Sequence, residues 1–338
     1  MHGGIAITKD IHWIGVNDRE TDLFEAIWPL PRGVSYNTYC VADQKTALID
    51  TVKNGYFPQF LEKIRSILGK GRKIDYLVIN HMEPDHSGAV KVLRESFPDV
   101  TIVGNAKTKD LLANFYGLTE NFLVVKDGEE LDLGRHKLRF HFIPMVHWPE
   151  TMVCYDETDK VLFSSDAFGG FGSLDGGVFD DEVDMSYYED EILRYFSNIV
   201  GRYSFQVQKA IKKVRTLDLN VIAPAHGPIL RKHPWHVVDL YDKWSRHEAE
   251  KGVVVVYGSM YGNTKAMAEE IARALAEEGI EKVILHDISR SHVSFVIRAI
   301  WKFRGLVLAS CTYNTELFPP MQALTSALHN KMLKNRVL

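Results

Sequence analysis

His81-Met82-Glu83-Pro84-Asp85-His86-Ser87-Gly88 puts four ligand-type side chains within six residues, directly after the apolar run 74–80. Alternate residues of an extended or turning segment face opposite ways, so His81 and Glu83 face one point while Asp85 and His86 serve a second beside it. That spacing suits two adjacent metals better than one. A charged turn capping a helix near Gly88 would account for the acids and Ser87, but it leaves the paired histidines unexplained.

Working outward, the runs 140–146, 161–164 and 221–225 have strand lengths and strand residues, and His147, Asp166 and His226 follow close behind them. Each ligand-type residue therefore stands at the carboxyl end of an apolar run. In sheets flanked by helices that edge is where sites are built, so four segments deliver ligands to one rim. Helical spacing over 89–96 and 191–199 completes an alternating α/β pattern through about residue 240. The other histidines receive no role: His141 alternates with Phe140 and Phe142 on the polar side of a strand, and His233 and His236 flank Pro234 in an expected surface turn.

A charged stretch, 242–251, ends this pattern, and a new one begins at Gly252. A strand is expected over 253–257, then a small polar loop, a helix with Met267, Ile271 and Leu275 on one stripe, and further strands over 282–286 and 305–310. The domains are expected to be 1–250 and 251–338. Tyr257-Gly258-Ser259-Met260-Tyr261-Gly262-Asn263-Thr264 joins strand to helix, a place where backbone N–H groups and small hydroxyls wrap a phosphate. A plain N-cap at Asn263 or Thr264 explains part of that loop. Neither a Gly-x-Gly-x-x-Gly nor a Walker motif occurs, which disfavours dinucleotide or ATP binding.

The composition is that of a globular protein, 46% hydrophobic and 25% charged. A net charge of -4 supplies no broad basic field for nucleic acid or anionic lipid. The first twenty-five residues lack a secretory apolar core, and no apolar run is long enough to span a bilayer, so a cytoplasmic location is expected. Three widely spaced cysteines, Cys40, Cys154 and Cys311, argue against a disulfide framework or a thiolate metal site. Histidines and carboxylates must hold any metal.

The motif His81-x-Glu83-x-Asp85-His86, with His147-Trp148-Pro149-Glu150, Ser165-Asp166-Ala167-Phe168-Gly169 and Pro224-Ala225-His226-Gly227, resembles the metallo-β-lactamase-like domain of flavodiiron proteins. The resemblance covers the whole first domain. It implies an αββα sandwich in which His81, Glu83, His147 and a bridging Asp166 hold one iron, and Asp85, His86, His226 and Asp166 hold the other. It also implies that Tyr195 lies near the irons and donates a hydrogen bond to bound gas. Glu25 stands where some members carry histidine.

Residues 259–264 resemble the phosphate loop for flavin mononucleotide (FMN) in flavodoxins. Ser310-Cys311-Thr312-Tyr313-Asn314 matches the second flavin loop, with Cys311 where proline is common. Only three parallel strands are expected before Leu338, against five in a flavodoxin sheet. The reading is therefore of a C-terminally truncated doubly wound domain with an open edge and no third flavin loop.

Hydrolytic members of the superfamily bind zinc with His-x-His-x-Asp-His, so Glu83 is decisive. A carboxylate there makes the site harder and more anionic, favouring iron or manganese over zinc. Glu83, Asp85, Asp166 and a bridging hydroxide carry about -4, matching two ferrous ions, and a near-neutral cluster is buried at low cost. Two ferrous ions hold two electrons and dioxygen needs four, so a flavin store is useful. The family resemblance implies an oxidoreductase that reduces dioxygen to water, nitric oxide to nitrous oxide, or both. It further implies rubredoxin or a reduced flavin-type cofactor as donor, and a head-to-tail homodimer or a dimer of dimers. The rival readings are a dizinc hydrolase working through a metal hydroxide, and a flavin-binding electron carrier whose metal domain is structural.

Overall fold

A computed structural model describes residues 3–69 and 71–338. The apolar runs of the first part form two sheets. One has seven strands in the order Ile5–Ala6, Ile11–Trp13, Tyr39–Ala42, Thr46–Ile49, Tyr76–Val78, Thr101–Gly104 and Phe122–Val124. The other has five: Glu130–Asp132, Lys137–Phe142, Met152–Asp156, Val161–Ser165 and Val221–Pro224. Val41, Ile49, Val78 and Val103 from the first sheet and Leu138, Phe140, Cys154 and Phe163 from the second share one buried core. The alternation that sends every second side chain inward makes this a sheet-on-sheet sandwich.

Pairing direction decides where the site lies. Thr46–Ile49, Tyr76–Val78 and Thr101–Gly104 run parallel, as do Val161–Ser165 and Val221–Pro224. His81, Glu83, Asp85 and His86 follow the carboxyl end of Tyr76–Val78, Asp166 that of Val161–Ser165 and His226 that of Val221–Pro224. His147 differs from the expectation: its strand, Lys137–Phe142, is antiparallel to both neighbours and ends at Phe142, and a turn carries the chain on to His147.

Chain contacts divide the molecule into two compact units. The first comprises residues up to Asp22, Leu30–Ile192 and Lys209–Val238; the second comprises Leu23–Pro29, Leu193–Gln208 and Asp239–Leu338. In the second unit a parallel sheet of order Val283–Asp287, Glu250–Gly258, Phe303–Ser310 packs against helices Asn263–Glu277 and Val293–Lys302. A parallel bridge between Gly305 and Val337 adds a further pairing along the edge of Phe303–Ser310. Trp301, fully buried, explains why earlier segments join this unit. Its ring lies edge-on to Phe196 at 5.6 Å, and its Nε1–H donates to the Trp244 carbonyl at 3.1 Å.

Two local expectations change. The helical run expected over 191–199 is an α-helix, Met185–Tyr195, continued by a π-helical turn, Phe196–Val200. The expected surface turn at Pro234 is the start of helix Pro234–Ser245, because proline lacks only an N–H that the first helical turn leaves unused. His233 and His236 remain at the surface. Among the described residues no helix is long and apolar enough to cross a membrane.

Candidate metal centre

The quoted octapeptide leaves strand Tyr76–Val78 and closes into a single helical turn, Pro84–Ser87, with Pro84 at its first position. Ser87 Oγ donates to the Met82 carbonyl at 2.7 Å, and Thr51 Oγ1 donates to the His86 carbonyl at 2.7 Å, so both ends of the turn are tied down. Gly88 is required next: a Cβ there would collide with the Pro84 carbonyl oxygen. Asp166 follows Ser165, whose φ of +54° turns the chain sharply out of its strand. His226 sits in a loop held by Asn37, which donates to the carbonyls of Pro224 at 2.9 Å and Gly227 at 2.8 Å.

These segments bring all seven ligand-type residues together as two groups. Ligand atoms of His81, Glu83, His147 and Asp166 lie within 4.8 Å of one another, and those of Asp85, His86 and His226 do likewise. Asp166 serves both. Its Oδ2 lies 3.3 Å from His81 Nε2 and 3.2 Å from His147 Nε2, while its Oδ1 lies 3.0 Å from His86 Nε2 and 3.4 Å from His226 Nε2. Glu83 Oε2 completes the first group at 3.0 Å from His147 and 3.4 Å from His81. Asp85 Oδ2 completes the second at 3.3 Å from His226 and 3.4 Å from His86.

Nitrogen and oxygen donors about 2.1 Å from one ion lie roughly 3.0–3.4 Å apart at angles of about 90–110°. The observed spacings are of that size. Several buried atoms aimed inward, among them His81 Nε2, His86 Nε2 and both Asp166 oxygens, have no hydrogen-bond partner among the described residues. Buried polar atoms are normally satisfied, so this convergence fits a pair of cations. His136, Asp156 and Asp159 form a third cluster. There His136 Nδ1 pairs with Asp156 at 2.9 Å and Arg135 pairs with Asp159 at 2.7 Å, so protein groups already satisfy it.

The metal-free electrostatics follow from the same contacts. Burial disfavours the charged form of His147, yet Asp166 and Glu83 outweigh it and raise the imidazole to about 9. Burial likewise opposes His226, and Asp166 and Asp85 raise it to about 10. His81 is also raised, against burial, by Asp166, Glu150 and Glu83. Burial would push Glu83 and Asp166 upward, but the imidazoles hold both below the ordinary carboxylate range. Protons thus occupy the centre when no metal does.

The sign of the pH dependence follows. A histidine raised above its unfolded value of about 6.5 contributes stability that is full below that pH and is lost as pH rises through the folded value. The metal-free protein is therefore expected to lose melting temperature between about pH 6.5 and 10, while metal affinity strengthens over that range. Thermal melts of the dialysed protein across this window check it; a flat profile would contradict the proton-filled centre.

Sequence reasoning did not identify what holds the imidazoles. His81 Nδ1 meets Glu150 Oε1 at 2.8 Å, and the same oxygen accepts the Met82 N–H at 2.9 Å. His226 Nδ1 meets the Ser35 carbonyl at 2.7 Å. Glu150 was visible as the fourth residue of the His147 segment, but nothing local marks it as a partner of His81.

The remaining expected residues fall in the second unit. Tyr195 ends helix Met185–Tyr195, fully buried, with its ring 6.1 Å from Phe24. Glu25 Oε2 accepts the Trp28 Nε1–H at 2.9 Å. Ser259, Met260, Tyr261 and Gly262 form the loop before helix Asn263–Glu277, which begins with Asn263 and Thr264, and Ser259 Oγ accepts the Gly262 N–H at 3.0 Å. Gly262 has φ of +95°, a conformation that favours glycine. Parallel register pairs Gly258 with Ser310, so Cys311, Thr312, Tyr313 and Asn314 leave the sheet beside the first loop.

Two family models match the chain, ODP family beta lactamase over residues 34–227 and flavodoxin over residues 255–336. The anaerobic nitric oxide reductase flavorubredoxin of Escherichia coli is 34% identical, with 98% of this chain and 70% of the relative aligned. Among solved structures, the rubredoxin oxygen:oxidoreductase of Desulfovibrio gigas superposes with a TM-score of 0.94 at 30% identity, covering 99% of this chain and 84% of that one. The flavodiiron protein of Giardia intestinalis gives 0.93 at 29% identity, covering 98% and 81%. The two sheets thus form the expected αββα metallo-β-lactamase-like sandwich, the parallel sheet is flavodoxin-like, and the chain belongs to the flavodiiron protein family.

Proposed function

We propose that this chain is a flavodiiron oxidoreductase that reduces dioxygen to water, nitric oxide to nitrous oxide, or both, at a non-haem di-iron site fed through FMN. One observation carries the reading: the two oxygens of Asp166 divide between two ligand groups, as a carboxylate shared by two ions must. In this reading His81, Glu83, His147 and Asp166 hold one iron, and Asp85, His86, His226 and Asp166 the other. Glu83 supplies the hard oxygen donor that favours iron over zinc. Relatives named for nitric oxide reduction and for rubredoxin-dependent oxygen reduction support the same chemistry over a hydrolase.

Held by the seven ligand-type residues, two irons would supply the electrons for reducing the gas, and an FMN held by the loops of the second unit would be their store. The chain's own residues set the access. His81, His86, Asp166 and His226 are sealed at 0% exposure, whereas Glu83, Asp85 and His147 retain 7%, 9% and 6%. The loops 259–264 and 310–314 cradle the FMN, with rubredoxin or a reduced flavin-type cofactor as donor. The working form is cytoplasmic, a head-to-tail homodimer or a dimer of dimers; a monomeric mass at working concentration would overturn the assembly.

The test is the full chain reconstituted anaerobically with ferrous iron and FMN and supplied with reduced rubredoxin at oxygen and nitric oxide electrodes. About two irons per chain and reductant-dependent gas consumption are expected. Zinc occupancy with no consumption would favour the dizinc hydrolase. The family resemblance alone implies a hydrogen bond from Tyr195 to bound gas; on that reading Tyr195→Phe is expected to slow turnover about tenfold, the loss of a bond worth ~1.5 kcal/mol, at constant iron content. Unchanged turnover removes that role.

A further inference from the structure

The two ligand groups are formally matched. Each has two imidazoles, one carboxylate of its own and one oxygen of Asp166. A difference between them must come from the groups behind the ligands. His81 Nδ1 donates to Glu150 Oε1 at 2.8 Å, and Glu150 is only 1% exposed, so its carboxylate acts without solvent screening. In the other group, His226 Nδ1 meets a neutral carbonyl, that of Ser35, at 2.7 Å. His86 Nδ1 is buried and has no hydrogen-bond partner among the described residues. Asp50, also buried, accepts the Asn80 N–H at 2.8 Å and acts through space on His86 first and on His81 second, so its charge opposes the asymmetry set by Glu150, whose contact with His81 is a direct hydrogen bond.

An anionic acceptor behind an imidazole fixes its orientation and makes its inward nitrogen a stronger donor. A neutral carbonyl fixes orientation with far less effect on basicity. We propose that Glu150 is a positioning residue that makes the two metal positions inequivalent: the position framed by His81, Glu83 and His147 binds a divalent ion more tightly and fills first. This rests on the reading of the centre as a two-metal site.

The test is a cobalt(II) titration of the metal-free full chain, followed by its visible absorption. Wild type is expected to fill in two separate phases of one ion each. Glu150→Gln keeps an acceptor oxygen for His81 Nδ1–H and Met82 N–H but removes the charge. It is expected to weaken the first phase about 10- to 100-fold and leave the second unchanged, merging the two. Asp85→Asn identifies the phases: it is expected to weaken the second and spare the first, and it tests the filling order even where Glu150→Gln fails to fold. An unchanged first phase in Glu150→Gln, equal weakening of both phases with melting temperature retained, or loss of the first phase in Asp85→Asn overturns the proposal. Fewer than two cobalt ions in wild type overturns the two-metal reading itself.

Discussion

Asp166→Ala is expected to abolish gas reduction while the FMN remains reducible by its donor. The side chain is fully buried, and each of its oxygens faces two imidazoles at 3.0–3.4 Å. Asp166 places one carboxylate oxygen in each ligand group, so alanine removes a link that holds two ions at a shared separation. Loss of a group merely behind a ligand costs about 10- to 100-fold in affinity or activity, so loss of a ligand common to both ions is expected to exceed 100-fold. Elemental analysis should find one iron or none, and both gas electrodes should read only background. Turnover retained at wild-type rate would favour the electron carrier whose metal domain is structural. The same variant lacks the counter-charge that lifts His147 and His226, so its metal-free form should lose less stability between about pH 6.5 and 10 than wild type does.

The metal centre was legible because its residues are marked twice, once by type and once by position at the ends of apolar runs. Strands Tyr76–Val78, Val161–Ser165 and Val221–Pro224 all fall within or next to runs read from hydropathy alone. Glu150 carries only the first mark. It follows no apolar run, and its contact with His81 joins residues far apart in the chain, which periodicity does not encode. The Ser35 carbonyl carries no side-chain mark at all.

The grouping of Leu23–Pro29, Leu193–Gln208 and residues 239–250 with the C-terminal sheet was equally hidden. It depends on aromatic packing of Phe196, Trp244 and Trp301, residues that look like ordinary core members of their own segments. The π-helical turn at Phe196–Val200 was hidden for a related reason: its apolar residues are all buried, so the sequence shows no amphipathic stripe to fix the pitch.

Glu83→His is expected to exchange iron for zinc and to remove gas reduction with it. Glu83 Oε2 now lies 3.0 Å from His147 Nε2 and 3.4 Å from His81 Nε2, so an imidazole placed there would complete a group of three nitrogens. Such a group is softer and suits four-coordinate zinc, whereas the native carboxylate suits a harder ion that takes more ligands. Charge moves the same way. With Glu83 gone, Asp85 and Asp166 remain as the carboxylates among the ligand-type residues, leaving two divalent ions with less negative charge from their own ligands in a buried site. Reconstitution with equal iron and zinc should give a zinc-to-iron ratio at least about tenfold above wild type, and reductant-driven gas consumption should fall by at least about 100-fold. The bound water of such a zinc site would titrate near pH 7, so any residual activity should be hydrolytic. Full iron occupancy at the wild-type rate would mean that the ion is chosen by the sandwich around the centre and not by the residue at position 83.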